Sequence, residues 1–251
     1  MRKYLKTALA MLLMVGQTSA PLASQSQFEQ QARGDDSVAE QRRFHQGNVL
    51  ESISSYQTYQ PKQALADFDQ LHQQAQQAQT ELAMLTQKSA YLSATQALIP
   101  AVKSEQRAQA KLTADLGGDV SRLTDLARSS LVADDIDGVV RAYRQISKEV
   151  EVIRVKNRFA TPKANGYRDM NLVVRLPYSG HLAEVQIHLT EIAAIKNGPE
   201  HDIYQQIQHI ERSSSPLTEF DNARISKLRQ QSSLMYQQAW RDYIAPVRQV
   251  S

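Results

Sequence analysis

The sequence predicts an α+β fold, a mixed four- to five-stranded sheet flanked by helices, with long N- and C-terminal helices. Segments 149–155, 171–176 and 181–188 are rich in β-branched and apolar residues over six to eight positions, as strands are. Longer segments repeat apolar residues every three or four positions, as amphipathic helices do. Because strands and helices do not alternate strictly, a purely parallel α/β sheet is excluded.

The composition is that of a globular chain, and it excludes several kinds of chemistry. The 251 residues, of which 41% are hydrophobic and 22% charged, fit one domain with appendages. The net charge is +3, from 29 basic and 26 acidic side chains, which argues against a protein that coats nucleic acid. Because the chain has no cysteine, disulfides, thiolate metal sites and thiol nucleophiles are excluded.

The first 24 residues have the pattern of a signal peptide or an N-terminal anchor. A basic segment at 1–6 precedes an uncharged apolar run at 7–15, and small residues follow. Pro21 disturbs the best cleavage sites, so cleavage and retention as a membrane tether both stay open. The pattern predicts a periplasmic or membrane-tethered protein. A cytoplasmic protein is expected if the start is assigned too far upstream or the uncleaved segment faces inward.

Residues 25–59 predict a flexible connector, because they are rich in Gln, Ser and charge and have little periodic apolar content. The pattern changes after residue 60. A helix beginning at Pro61 is predicted from apolar residues at helical spacing, among them Leu71 and Leu82. The glutamines between them are expected on its solvent-exposed face: Gln73, Gln74, Gln76, Gln77 and Gln79.

The remaining elements are predicted from the same two patterns, strand-like segments and helical repeats. They are helices at 89–98 and 104–116, a strand at 129–133, a helix at 137–148, the strands at 149–155, 171–176 and 181–188, a helix at 190–208 broken near Gly198, and a terminal helix at 217–244. The turn at 177–180 contains Pro177 and Gly180, so the strands beside it should pair as a hairpin. Ser215 or Thr218 is a suitable N-cap for the terminal helix.

Two acidic residues lie at predicted strands. Asp125 precedes the first strong strand, and Glu184 lies in the middle of the last one. Glu184, Gln186 and His188 share one face of that strand, and the apolar residues between them form the core face. The polar face is therefore expected at a cleft or in solvent. Two facing carboxylates would suit Mg²⁺, and an ordinary solvated strand face is the alternative.

A basic run is predicted on one helix. Lys103, Arg107 and Lys111 are spaced at four residues, so three cations would share a face and repel one another. An anion such as a polyphosphate would relieve that repulsion. A solvated basic stripe is the alternative.

The segment 161–168 reads as a loop that leads into a strand, because it contains Pro, Asn and Gly. Tyr167 lies at the junction, where a ring can be presented to a flat ligand such as a base. Lys163 and Arg168 flank it. The alternative is a turn with a packed tyrosine.

Together these features resemble the RelA/SpoT-type alarmone synthetases. The sequence Lys163-Ala-Asn-Gly-Tyr-Arg, followed by Glu184-Val-Gln-Ile, is similar to the family's signature. Asp125-Leu-Ala-Arg128 resembles its D-I-x-G-x-R segment, and Glu200-His-Asp-Ile-Tyr204 resembles its E-H-x-x-x-Y stretch. The resemblance covers about 101–212, inside a synthetase domain with flanking helices at 60–245. It implies a nucleotidyltransferase-like fold, and in length the chain is similar to the small stand-alone synthetases, including the Vibrio type.

The resemblance implies a GTP pyrophosphokinase of the stringent response. Such an enzyme moves the β,γ-pyrophosphate of ATP onto the 3′-hydroxyl of GDP or GTP, giving AMP and the alarmone (p)ppGpp. It implies Mg²⁺ held by Asp125 and Glu184, with Glu184 helping to deprotonate the hydroxyl. Tyr167 would stack on guanine. The other implied nucleotide-binding residues are Lys103, Arg107, Lys111, Arg128, Lys163, Asn165, Gln186 and His201.

Departures from the family pattern leave the acceptor base, guanine or adenine, open. Ala101 stands where an Arg is usual, Asn171 replaces a His, Asp169 a Ser, and His188-Leu189 an Arg-Thr pair. No hydrolase domain and no nucleic-acid partner are expected, and a homo-oligomer stays open. The alternatives are a degenerate nucleotide-binding sensor, a secreted toxin-like (p)ppApp-type synthetase, and a non-enzymatic periplasmic helical interaction protein.

Overall fold

The computed structural model describes residues 41, 45–213 and 216–244. The predicted signal segment and the first part of the predicted connector lie outside these residues, as does Ser215. None of the described helices is both long enough and apolar enough to cross a membrane.

A mixed six-stranded sheet organises the described chain, which confirms the α+β class and adds strands to the expected four or five. The strands are β1 (Tyr56–Gln57), β2 (Gln96–Leu98), β3 (Arg128–Ala133), β4 (Glu151–Asn157), β5 (Met170–Arg175) and β6 (Leu182–Leu189). Their spatial order is β1-β4-β5-β6-β3-β2. The β3–β6 pair is parallel and the others are antiparallel, including the predicted hairpin of β5 and β6.

Helices flank this sheet. They are α1 (45–52), α2 (Phe68–Ser93), α3 (Glu105–Asp115), α4 (Ile136–Glu149), α5 (Thr190–Asn197), α6 (Pro199–Ser213) and α7 (Glu219–Ile244). The break near Gly198 is confirmed, since it separates α5 from α6. Thr218 caps the long C-terminal helix: its hydroxyl oxygen accepts a hydrogen bond of 3.1 Å from the amide of Asp221.

The predicted helices at 61 and at 89–98 are corrected. The long helix begins at Phe68, because the Asp67 side chain caps its first turn by accepting from the amide of Gln70 at 2.9 Å. It ends at Ser93, where Ala94 takes a left-handed conformation with φ of 54°. The following residues form the edge strand β2, paired with β3.

The end of the predicted connector belongs to the folded domain. Helix α1 places Leu50 in the core, fully buried, and β1 adds a short strand beside β4. The side-chain amide of Asn157 donates hydrogen bonds of 2.8 Å to the carbonyl oxygens of Leu50 and Ile53. A connector prediction from composition therefore misses this segment, because its order comes from contacts with β4.

One predicted surface glutamine lies in the interior. Gln73, Gln76 and Gln77 are exposed as expected, but Gln79 is buried between α2 and the start of β3. Its amide nitrogen donates to the carbonyl oxygens of Pro100 (2.8 Å) and Arg128 (2.9 Å), and its oxygen accepts from the amide of Arg128 at 2.9 Å. Because each polar atom has a partner, burial of this amide costs little.

Candidate functional site

A cavity of about 830 Å³, called cavity A, lies beside the first residues of β3 and the polar face of β6. Both predicted acids, Asp125 and Glu184, line it. They are brought together by the sheet: β6 runs parallel to β3, with Glu184 opposite Arg128 in the register. Arg128 and Gln186 also line cavity A, as predicted for a common pocket.

Asp125 is buried against two lysines. One carboxylate oxygen, Oδ2, accepts from the ammonium groups of Lys103 and Lys111, the latter at 2.8 Å. Burial by itself raises the pKa of Asp125, but the positive charges of the two lysines outweigh it, so the pKa lies below its ordinary value. Asp125 is therefore ionised at neutral pH.

The predicted basic helix face is corrected. Helix α3 begins at Glu105, so Lys103 lies in the preceding segment, where its amide bonds to the carbonyl oxygen of Leu126. Lys103 and Lys111 converge on Asp125 and neutralise its charge, whereas Arg107 is exposed and lines cavity A. Burial, partly offset by Asp125, lowers the pKa of Lys103.

Glu184 is held in place by its neighbours on the sheet. Its Oε1 accepts a hydrogen bond of 2.7 Å from the side-chain amide of Asn171 on β5. The backbone amide of Glu184 donates to the carbonyl oxygen of Ala127 at 3.1 Å. A carboxylate oriented in this way at the edge of a cavity is suited to accept a proton or to bind a cation.

A second cavity of about 390 Å³, called cavity B, adjoins cavity A. Among the predicted residues, Lys163, Asn165 and Tyr167 line it. The two cavities share five lining residues: Glu184, Gln186, Lys196, Glu200 and Tyr204. Lys103 and Lys111 line neither cavity; the other predicted site residues divide between these two spaces, with Glu184 and Gln186 lining both.

Tyr167 lies at the predicted loop–strand junction, but it is more deeply packed than a presented ring. The side chain is only 6% exposed. Its hydroxyl donates to Asp169 at 2.8 Å, and the Nε2 atom of His188 lies 2.7 Å from the hydroxyl oxygen. Burial and the Asp169 charge raise the pKa of Tyr167 far above its ordinary value. The Lys163 ammonium lies 5.2 Å from the ring centroid.

His188 lies at a cavity, as expected for the polar face of β6, but its side chain is not open to solvent. The residue lines cavity A but is only 1% exposed, and Tyr167 occupies one of its ring nitrogens. Burial lowers the pKa of His188 well below its ordinary value, so the ring is neutral at neutral pH. His188 is buried because it packs against Tyr167 and Asp169, which lie outside its own strand.

The other predicted binding residues lie around the two cavities. Asn165 donates to Glu200 at 3.2 Å and thereby ties the 161–168 loop to α6. His201 is exposed at the edge of cavity A and contacts Gln205 at 2.9 Å. The tight turn before Tyr167 is closed by a 2.8 Å bond from the amide of Gly166, whose φ of +80° favours glycine.

Several charged residues at the two cavities were not predicted from the sequence. Arg158 and Lys196 line cavity B, and Lys196 also lines cavity A. Arg154 of β4 and Glu184 of β6 both pair with Val173 of β5, so the three residues lie in one row across the sheet. The signal was present for β4, since Arg154 and Lys156 are two apart in a period-two segment. The lysine of α5 had no comparable pattern.

Two carboxylates of the kind that bind a hard cation, those of Asp125 and Glu184, belong to the lining of cavity A. The Oδ1 atom of Asp125 is buried and has no hydrogen-bond partner within the described chain, and the Glu184 carboxylate lines the same cavity. Mg²⁺ is commonly held by one or two carboxylates, with phosphate and water oxygens as its other ligands. No group of three or more His, Cys, Asp or Glu side chains suited to a metal occurs in the parts of the chain described. The two acids fit a magnesium ion that is also bound by its substrate.

Comparison with known proteins finds similarity in structure and none in sequence. No protein-family model and no curated protein sequence matches the chain. The type VI effector Tas1, crystallised with its immunity protein, aligns with a TM-score of 0.51 and 19% identity over 70% of this chain and 99% of that one. Small alarmone synthetase 1 from Bacillus subtilis aligns with a TM-score of 0.50 and 17% identity, over 69% and 94%.

A GTP pyrophosphokinase family protein from Streptococcus pneumoniae aligns similarly, with a TM-score of 0.50 and 16% identity, over 68% of this chain and 90% of that one. These likenesses confirm the predicted fold: the chain has the fold of the small alarmone synthetases. The similarity to the Vibrio type stays a prediction.

Proposed function

We propose that the protein is a Mg²⁺-dependent nucleotide pyrophosphokinase that transfers the β,γ-pyrophosphate of ATP to the 3′-hydroxyl of GDP or GTP. The observation that carries this proposal is the meeting of Asp125 and Glu184 in cavity A, on the fold of the small alarmone synthetases. Arg107, Arg128 and Lys196 line the same cavity. An anionic substrate and a divalent cation both suit this arrangement.

In this reaction Glu184 accepts the proton of the 3′-hydroxyl while the oxygen attacks the β-phosphorus of ATP. A bond forms between the 3′-oxygen and the β-phosphorus. The bond between the β-phosphorus and the oxygen that bridges to the α-phosphorus breaks, and its electron pair stays on that oxygen of AMP. Asn171 orients the Glu184 carboxylate through its 2.7 Å hydrogen bond.

Asp125 and Glu184 would hold the Mg²⁺ ion, which when bound supplies positive charge to the phosphate oxygens. Lys103 and Lys111 fix the position of Asp125 through one carboxylate oxygen, Oδ2. Its Oδ1, which has no partner among the described residues, is then the atom for the cation.

The acceptor nucleotide is assigned to cavity B. Tyr167, which lines cavity B, would stack on the base, and Lys163 and Arg158 would supply positive charge for the 5′-phosphates. ATP is assigned to cavity A, with Arg107 and Arg128 near its phosphates. The 3′-hydroxyl and the β-phosphorus then meet at the junction, beside Glu184.

The experiment is incubation of the purified protein with labelled ATP, GDP and Mg²⁺, followed by separation of the nucleotides. A 3′-pyrophosphorylated product and an equal amount of AMP are expected. Glu184→Gln should lower turnover by about a hundredfold or more with the fold retained, because the variant has no proton acceptor at this position. Nucleotide binding without product would favour a degenerate sensor, and no binding at all would favour a non-enzymatic interaction protein.

A secreted toxin-like synthetase is the second candidate. Two observations favour it: the signal-like first 24 residues, and the structural likeness to an effector that is bound by an immunity protein. An exported form acting on adenine nucleotides, to give (p)ppApp, would fit both. Competition between ADP and GDP as acceptors, with product identification, separates the two candidates. Mass spectrometry of the native protein would show whether the segment is removed.

A further inference from the structure

Lys196 occupies the junction of the two cavities. It lies in the last turn of α5 and lines both cavity A and cavity B. Of the five residues shared by the two cavity linings in the described chain, it is the one cation, beside Glu184 and Glu200. Its position therefore coincides with the place where a group must pass between the two spaces.

The Lys196 ammonium is poorly compensated. Its Nζ donates to Oε1 of Gln186 at 2.7 Å, and the next polar atom is Nε2 of His188 at 3.4 Å. That nitrogen already faces the Tyr167 hydroxyl. None of the ion pairs in the part of the chain that the structure describes, which extend to 4.0 Å, includes Lys196. An ammonium has three donors, so this one can take further oxygen acceptors.

The surroundings of the Lys196 ammonium favour binding of an anion. Burial lowers the pKa of Lys196, and the negative charges of Asp169 and Glu184 oppose that effect at longer range. A half-buried cation with one neutral acceptor gains most from an anionic oxygen that enters the cavity. A structural lysine of this kind would be expected to pair with a protein carboxylate instead.

We propose that Lys196 is a catalytic residue whose ammonium contacts the pyrophosphoryl group as it passes from ATP to the acceptor. The inference rests on the proposed function. While the bond from the 3′-oxygen to the β-phosphorus forms and the bond to the bridging oxygen breaks, negative charge is spread over the non-bridging oxygens. Lys196 donates hydrogen bonds to these oxygens and keeps its proton throughout. Such a contact strengthens in the transition state and raises kcat.

Steady-state kinetics of Lys196→Met provide the first test. The methionine keeps the length of the apolar stem and removes the charge. We expect kcat to fall by about a hundredfold or more while KM for ATP and for GDP changes by less than about threefold. Lys196→Arg should recover part of kcat. Lys148→Met, on an exposed position of α4, is the matched control and should behave as wild type.

A binding measurement tests the same contact without turnover. The pyrophosphorylated product guanosine 3′,5′-bisdiphosphate carries the transferred group, and GDP does not. By calorimetry, Lys196→Met should weaken binding of the product by at least about tenfold and binding of GDP by less than about threefold. If the methionine variant does not fold by circular dichroism, Lys196→Gln replaces it in both measurements.

The outcomes distinguish failure of the proposed function from failure of the role of Lys196. If the wild type forms no product, the proposed function fails. If the wild type forms product and Lys196→Met retains the wild-type kcat, whether or not its KM is raised, Lys196 is not a catalytic residue. Equal loss of product and GDP binding would also overturn the inference, because a structural defect moves both equally.

Discussion

The amide nitrogen of Glu184 donates a hydrogen bond of 3.1 Å to the carbonyl oxygen of Ala127. Ala127 lies two residues after Asp125, so this bond joins the strand that carries one acid to the segment that carries the other. The parallel pairing of β3 and β6 continues from there, with Glu184 opposite Arg128. The two acids are thus placed by the pairing of β3 with β6, and a site supported by such elements is held in its working geometry.

Replacing Asp125 should destabilise the protein as well as inactivate it. In Asp125→Asn the buried ammonium of Lys103 has no charged partner, so we expect the free energy of unfolding to fall by about 3 kcal/mol. Urea unfolding at neutral pH measures this. Asp119→Asn is the control, because the ion pair of Asp119 with Lys62 is half-exposed, and an asparagine at this position can still accept from the amide of Ser121. The double variant with Lys103→Met should recover part of the loss; equal effects of both aspartate variants would contradict the argument.

The ring and the hydroxyl of Tyr167 should have separable roles. Tyr167→Phe removes the bonds to Asp169 and His188 but keeps the ring, so we expect stability to fall by about 1–3 kcal/mol with little change in acceptor KM. Tyr167→Ala removes the ring and should raise acceptor KM by about ten- to a hundredfold. Tyr178→Ala, on the exposed hairpin turn, is the control. Unchanged acceptor KM in Tyr167→Ala would remove the base-stacking role.

The parts of the fold that the sequence predicts are those encoded by local pattern. The β5–β6 hairpin follows from two strand-like segments on either side of a turn with Pro177 and Gly180, and the alternation within 181–188 places Glu184 on the polar face of its strand. The break at Gly198 and the Thr218 cap are also local signals. The meeting of Asp125 and Glu184 in one cavity followed from the family resemblance, because no local pattern predicts that β3 pairs with β6.

The remaining parts depend on distant contacts. Strand β2 has three residues and is defined by its pairing with β3. Gln79 is buried because the carbonyls of Pro100 and Arg128 meet it there. Lys196 stands alone in a short helix, and only the position of that helix brings it to the site. No periodicity within these segments carries that information.

Residues 45–57 should be needed for folding, and the first 24 should not. Asn157 supplies the contact that can be tested by one substitution. Asn157→Ala leaves the carbonyls of Leu50 and Ile53 without their donor, so stability should fall by about 2–3 kcal/mol. Asn222→Ala is the control, because Asn222 is exposed and bonds only the carbonyl of Thr218.

Truncation tests the same boundary on a larger scale. A chain that begins after residue 24 should keep activity. A chain that begins after residue 59 lacks Leu50, which is fully buried in the core, and should not fold to the native state. Circular dichroism and the product assay measure both variants. An active chain without residues 1–59 would show that α1 and β1 are dispensable.

His181 should make the protein sensitive to mild acid. Its ring is buried; Nδ1 lies 3.0 Å from Oε1 of Gln74, and Nε2 lies 3.4 Å from the amide nitrogen of Gln63. This arrangement suits the neutral ring with its proton on Nδ1. Burial lowers the pKa of His181 from 6.5 to about 4. The unfolded chain therefore binds a proton below pH 6.5 that the folded chain binds only near pH 4, so this residue lowers stability as the pH falls through that window.

At neutral pH the buried neutral ring of His181 contributes about 3 kcal/mol to the free energy of unfolding, and nearly all of this contribution is lost by about pH 4. His188 and buried acids titrate as well, so the wild-type pH dependence alone does not isolate it. The measurement is the difference between wild type and His181→Gln in urea unfolding at pH 7 and at about pH 4.5. The glutamine does not titrate, so the variant should lose less stability between the two pH values. Equal losses in the two proteins would show that His181 is protonated as readily in the folded chain as in the unfolded one.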